Sequence, residues 1–227
     1  MNGKVIVVTG ASGALGKVVA EVALARGARV AAVDHAPSQI PATAERIELG
    51  GVDLTDATQA KKAIDAAAAH FSRLDALLNI AGAFAFEPVA EGDPKTWQRM
   101  YALNVLTTLN ASQSAIPHLA ASGSGRIVNV GAMAAQKAAA GMGPYAASKA
   151  GVARLTEALA DELKDRGITV NAILPSTLDT PKNRADMPTA DFARWVTLSE
   201  AAEVIAFLVS DKASAVTGAL IPVVGRV

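Results

Sequence analysis

Apolar residues along the chain fall into two alternating patterns. Short unbroken blocks rich in valine and isoleucine lie at Lys4 to Thr9 (KVIVVT), Arg29 to Val33, Leu74 to Ile80 (LDALLNI), Arg126 to Val130 and Ile168 to Leu174. Such blocks are what strands buried on both faces of a parallel sheet require. Val52-Asp53-Leu54 ends a shorter third strand, and Ala219 to Val224 is the last. The stretches Lys17 to Gly27, Thr55 to His70, Pro94 to Leu119, Tyr145 to Arg166 and Ser199 to Val209 read as helices. Trp97, Tyr101, Leu103 and Leu106 are among the apolar positions of the third, with Asn104 in its middle, where a buried amide needs partners. Pro175 to Trp195 is rich in turn formers and reads as partly helical. Strand and helix alternate over the whole length, which predicts a three-layer α/β fold: a doubly wound parallel sheet in a single domain.

The junctions between these elements carry the candidate chemistry. The first strand runs into TGASGALG, Thr9 to Gly16, ahead of a helix. Glycines there let a backbone approach a pyrophosphate, and the helix N-terminus offers free N–H groups and positive dipole. Gly10, Ser12, Gly13, Ala14, Leu15 and Gly16 are therefore candidate dinucleotide contacts. The second strand ends in Asp34, about 20 residues past the turn, where a carboxylate accepts from ribose hydroxyls and repels a 2′-phosphate. NAD(H) is expected over NADP(H), and the neighbouring His35 does not outweigh that charge. Asp53, beside Leu54, either caps the next helix or accepts from an adenine amine. The fourth strand closes as Asn79-Ile80-Ala81-Gly82, and small residues there suit a backbone lying against a cofactor.

Gly131 to Gly151 reads GAMAAQKAAAGMGPYAASKAG. Tyr145 and Lys149, four positions apart, stack on one face of a helix. A free phenol titrates near ~10, and an adjacent ammonium favours its ionised form. The pair is thus expected to bring the tyrosine toward proton exchange at neutral pH. Met133 and Met142 either line an adaptable apolar pocket or fill core space.

Composition narrows the partners. The 227 residues, about half of them apolar, suffice for one sizeable core. Lys plus Arg number 21 and Asp plus Glu 21, which points away from nucleic acid or an anionic membrane surface. The sequence contains no cysteine, so disulfides, thiolate metal sites and cysteine nucleophiles are excluded. His35, His70 and His118 share no metal-ligand spacing and read as structural, and no metal is expected. The start MNGKVIVV shows no leader, and no apolar run is long enough to span a bilayer; a soluble cytoplasmic protein is expected.

TGASGALG, Asp34, NIAG ending at Gly82, Asn104 and YAASK at Tyr145 to Lys149, in this order and spacing, resemble the short-chain dehydrogenase/reductase family over the whole chain. The resemblance implies a Rossmann-type sheet of seven strands, a nicotinamide cofactor and oxidoreductase activity on a small molecule. It implies Tyr145 as proton donor or acceptor, Lys149 as ligand of the nicotinamide ribose, and Asn104 as holder of a proton-relay water. Thr180 would sit near the carboxamide, with Pro175, Thr177 and Leu178 also on the cofactor; Pro175-Ser176 stands where the family has Pro-Gly. Ala14 replaces the middle glycine of the family's TGxxxGxG, with Gly13 one place earlier.

Thirteen residues before the tyrosine the family carries a serine that helps hold a substrate oxygen; here that position is Ala132. Losing such a donor typically costs ~10²–10³ in rate. An ordinary ketone is expected to react poorly unless Ser148, Gln136 or Thr177 substitutes. The segment Leu174 to Trp195, LPSTLDTPKNRADMPTADFARW, is similar to the dihydropteridine reductase branch, which lacks that serine as a rule, and GMGPYAASKAGV resembles its tyrosine region. That likeness implies NADH-dependent reduction of a quinonoid dihydropterin or similar conjugated ring, with a substrate loop at 176–198. Ala132, Phe84, Met142, Arg184 and Trp195 are the candidate substrate contacts. Phe84 stands where the branch has a tryptophan, and Trp195 with Phe192 either covers a substrate or packs onto the sheet. The other readings are a general NAD(H)-dependent alcohol dehydrogenase or ketoreductase, and a cofactor-binding regulator without turnover. The helices bearing Asn104 and Tyr145 can pair across a two-fold axis, and the family resemblance implies a homodimer or homotetramer.

Overall fold

The computed structural model describes residues 1–38 and 40–227. Seven strands, β1 (Val5–Thr9), β2 (Arg29–Val33), β3 (Arg46–Leu49), β4 (Ala76–Asn79), β5 (Gly125–Val130), β6 (Ile168–Pro175) and β7 (Leu220–Val223), form one sheet. Their order is β3-β2-β1-β4-β5-β6-β7, and every neighbouring pair is parallel. Alternate residues of a strand face opposite sides, and both sides are covered. Val5, Val7, Leu77 and Ile127 pack beneath α2 (Ala57–Phe71), α4 (Thr107–Ala121) and α5 (Gly143–Leu163). Ile6, Val8, Leu78 and Val128 pack beneath α1 (Ala14–Ala25) and α7 (Leu198–Val209). This is the doubly wound arrangement that the unbroken apolar blocks predict.

The third strand lies earlier than expected. Residues 46–49 form it, and Val52 to Leu54 follow outside any strand. As an edge strand it buries Ile47 while Arg46 Nε donates to Glu48 Oε1 at 2.6 Å. Alternating charge hides such a strand from a search for continuous apolar runs.

The helix read as Pro94 to Leu119 is three pieces: α3 (Pro94–Tyr101), a π-helical segment (Ala102–Leu106) and α4. Thr107 N bonds back five residues to Ala102 O, the mark of an inserted residue. Trp97 and Tyr101 are exposed, whereas Met100, Asn104 and Val105 are buried. Asp93 caps α3 through Lys95 N at 2.9 Å. Helix α1 begins at Ala14, which places Ala14, Leu15 and Gly16 in its first turn. Helix α5 begins two residues before Tyr145, with Pro144 in its first turn. A short α6 (Pro181–Asp186) interrupts the loop after β6, and Thr197 with Glu200 forms a capping box on α7. His118 Nε2 lies 2.8 Å from Asp65 Oδ1 and ties α4 to α2. Among the described residues, no helix is long and apolar enough to cross a membrane.

Candidate active site

The strand order reverses direction between β1 and β4, and the loops at their carboxyl ends part there to leave a crevice. The resulting cleft holds about 540 Å³ and is lined by Gly10, Ser12, Gly13, Ala14, Leu15, Gly16, Asp34, Asp53, Leu54, Ala81 and Gly82. All of these are sequence candidates. His35, Val52, Thr55, Ile80, Leu103 and Thr107 complete the lining. Leu103 and Thr107 reach it because the π segment turns them inward, which regular helical spacing does not reveal.

The glycines are required by close backbone contacts. Gly10 has φ +64, and a Cβ there would lie 2.8 Å from Ala81 N and Cα. A Cβ on Gly16 would lie 2.1 Å from Gly10 O. Beneath them Thr9 Oγ1 accepts from Ile80 N at 3.1 Å and Ala81 N at 3.2 Å, locking the two loops together. Thr9 was not among the candidates; its place just ahead of the first glycine is the signal in the sequence. Gly13 precedes α1 without any side-chain cap, so the first-turn N–H groups face the cleft unpaired by a side chain. Asp34 is pinned beside them, Oδ2 accepting from Ser12 N and Oδ1 from Ala36 N, both at 2.8 Å. A tight glycine cradle, open helix amides and a fixed carboxylate fit an extended dinucleotide.

Two expected contacts differ. Asp53 does not cap the next helix: its Oδ1 accepts from Thr55 N and Oγ1, and Asp56 makes the cap through Thr58 N and Gln59 N. Asn79 points away from the cleft, buried in the core. Its Nδ2 donates to Ser112 Oγ at 3.0 Å and Asn129 Oδ1 at 2.9 Å, and Asn129 in turn donates to Thr156 Oγ1. Of this turn, Ile80, Ala81 and Gly82 line the cleft.

At the inner end, Asn104, Lys149 and Gly82 converge. A Cβ on Gly82 would lie 2.6 Å from Asn104 Oδ1 and 3.2 Å from Lys149 Nζ. Asn104 Nδ2 donates to Ala83 O at 3.0 Å and to Ser148 Oγ at 2.9 Å, while its Oδ1 accepts from Ala83 N at 2.9 Å. Lys149 Nζ donates to Val130 O at 2.8 Å, at the end of β5. Burial pushes the Lys149 ammonium down to about 8. Burial also pushes the Tyr145 phenol up to about 12, the reverse of the expected lowering. In this structure desolvation outweighs the neighbouring charge, which is directed at a carbonyl.

Ala132 is buried at the start of a single 3-10 turn and presents only a methyl. Ser148 does not replace the missing hydroxyl: it donates to Tyr145 O at 2.7 Å and accepts from Asn104. Gln136 is exposed and Thr177 half-buried. Phe84 stands edge-on to Tyr145, ring centroids 5.0 Å apart.

The loop after Pro175 is internally fastened. Ser176 Oγ donates to Val224 O, Thr180 Oγ1 accepts from Asn183 N, and Leu178 bridges to Val196. Arg184 is no free anion contact. Its Nε and Nη2 grip Asp179 at 2.6 and 2.7 Å, and its guanidinium lies 4.8 Å above the Phe192 ring. Trp195 is buried against Phe192, so of its two readings packing prevails. Met142 is half-buried at the N-cap of α5.

Comparison with known proteins agrees with this geometry. A family model described as short chain dehydrogenase matches residues 4–190. The cis-4-hydroxycyclohexanecarboxylate dehydrogenase of Sinomonas cyclohexanicum is 35% identical over 237 residues, covering 98% of this chain and 95% of that protein. A 3-oxoacyl-(acyl-carrier-protein) reductase of Thermotoga maritima is 30% identical over 240 residues, covering 99% of this chain and 98% of that protein. The crystal structure of carveol dehydrogenase from Mycobacterium avium in complex with NAD matches with a TM-score of 0.88 at 26% identity, covering 99% of this chain and 97% of that one. On the family match, the relatives and the shared architecture together, the chain belongs to the short-chain dehydrogenase family and is an NAD(P)H-dependent oxidoreductase.

Proposed function

We propose that the chain is an NADH-dependent reductase of a quinonoid dihydropterin or a similar conjugated ring. One observation carries the reading: among the described residues, Ala132 brings no hydroxyl beside Tyr145, and Ser148 is already engaged with Asn104 and Tyr145 O. A ketone reduced to an alkoxide gathers charge on one oxygen and needs preorganised donors there. A conjugated ring spreads that charge, so one proton source suffices.

The hydride would come from bound NADH, oxidised to NAD⁺. Tyr145 Oη delivers the proton to a ring nitrogen, so that hydride and proton together add across the conjugated C=N bond. Lys149, whose Nζ donates to Val130 O, would hold the nicotinamide ribose, and its charge beside the phenol would lower it. Asn104 fixes Ala83 and Ser148 around the pair. Asp34 accepts from the adenosine ribose and disfavours the extra phosphate of NADPH. Gly10 to Gly16 would hold the pyrophosphate, and Thr177, Leu178 and Thr180 would hold the nicotinamide end. The active form is a homo-oligomer in the cytoplasm, paired through the exposed sides of α3 and α5.

The test is oxidation of NADH with a freshly oxidised tetrahydropterin. Turnover that Tyr145→Phe lowers by ~10²-fold or more supports the reading; no rate above that of buffer defeats it. The relatives that act on a hydroxycyclohexane and on 3-oxoacyl groups favour a second reading, reduction of ordinary ketones. Ketone turnover in the absence of dihydropterin turnover would select it.

A further inference from the structure

The connection from Ala83 to α3 is fastened along its length. Asn104 grips the backbone of Ala83 through both N–H and C=O. Glu87 N donates to Gly141 O at 2.7 Å. The Glu87 carboxylate turns the other way, Oε1 accepting from Asp93 N at 2.6 Å and Oε2 from Thr96 Oγ1 at 2.7 Å. Between these anchors the edge of the Phe86 ring rests on Gly141. That glycine has φ +73, and a Cβ there would lie 2.3, 2.4 and 2.8 Å from three atoms of the ring. No side chain other than hydrogen fits without moving Phe86.

The clasp determines where Phe84 stands. Its ring meets that of Tyr145 at 72°, with 50% of its surface open, and Phe86 beyond it is 66% exposed. The Phe84 ring stands beside the proton donor, and the Phe86 ring continues the apolar surface onto Gly141. Aromatic rings gain from an apposed ring face, whereas a hydroxyl-rich chain laid against them leaves its donors unpaired.

We propose that the segment from Phe84 to Phe86, clasped to Gly141 and to the start of α3, is the specificity wall of the site, selecting flat unsaturated rings over flexible polyols. The inference deepens the conjugated-ring reading and rests on it. Its test uses binding instead of turnover. Biopterin, a flat fully oxidised ring, and D-threitol, a small polyol, are each titrated calorimetrically into the protein saturated with NAD. Wild type is expected to bind biopterin and not threitol over the same concentrations. Phe84→Ala should weaken biopterin binding about five- to tenfold. Gly141→Ala should weaken it similarly by displacing Phe86, yet less than about twofold further when added to Phe86→Ala, because the ring it strikes is gone. Equal affinities for biopterin in wild type and Phe84→Ala, equal binding of threitol, or multiplying effects of Gly141→Ala and Phe86→Ala would each overturn the proposal. If Gly141→Ala does not fold, Phe84→Ala decides alone. Failure to reduce dihydropterin, with biopterin bound as described, overturns the functional reading and leaves the wall standing.

Discussion

Replacing Lys149 with methionine is expected to stabilise the cofactor-free protein while removing its activity. The side chain is buried, and burial lowers its ammonium from 10.5 to about 8. At ~1.4 kcal/mol per pH unit, that difference corresponds to roughly 3 kcal/mol of destabilisation at neutral pH, where the amine is charged in both folded and unfolded chains. Methionine keeps the unbranched length without the charge, but leaves Val130 O without its donor, a loss of about 1 kcal/mol. The variant should therefore be about 1–2 kcal/mol more stable at pH 7. The sign then changes with pH. Between about 8 and 10.5 the unfolded chain holds a proton that the folded chain has released, so wild type gains stability as pH rises and the advantage of the variant disappears. Urea denaturation of both proteins from about pH 7 to about pH 10 measures this directly. A stability difference that stays constant across that range would refute the argument, whatever its size. Tyr145 acts in the opposite sense at higher pH: its phenol is raised from 10.0 to about 12, so stability falls as pH rises through that interval, and Tyr145→Phe removes the fall.

Gly16→Ala sets a methyl against main chain at Gly10 O, which has no flexible end to move, and should destabilise the protein by ~2–3 kcal/mol and weaken NADH binding, read by thermal melting and fluorescence titration. Asp34→Ala removes the one carboxylate pinned at Ser12 and should lower the ratio of kcat/KM for NADH over NADPH about tenfold or more. Ala132→Ser should raise reduction of simple ketones by ~10²-fold if a single donor limits that reaction; an unchanged rate would mean that another group already holds the oxygen.

Much of the sheet was legible because its strands are covered on both faces, and unbroken runs such as VIVV admit few alternatives. The edge strand at Arg46 was not, since only Ile47 of its four residues is buried. The glycine turn and Asp34 were legible from the close approach of backbone that a dinucleotide demands. Asn79 was misplaced because strand periodicity gives a side chain's face only once the turn beyond is known, and its amide is claimed by Ser112 and Asn129, distant in sequence. Ser148 looked like a spare donor beside Tyr145, but its hydrogen is directed at the carbonyl one turn back. Arg184 and Trp195 are candidate substrate contacts that the sequence leaves open to other roles; their partners Asp179 and Phe192 lie within the same loop, and its folded path brings them together.

The π-helical segment has a consequence for engineering. One surplus residue there shifts everything beyond it by about 100° around the helix axis relative to a regular spiral. A designer who deletes a residue to regularise residues 94–121 would gain better hydrogen-bond geometry, yet would swing the Asn104 amide off Ala83 and draw Leu103 and Thr107 away from the cleft. The irregularity is therefore the means by which one long helix serves two directions, and a more ideal helix would make a poorer enzyme.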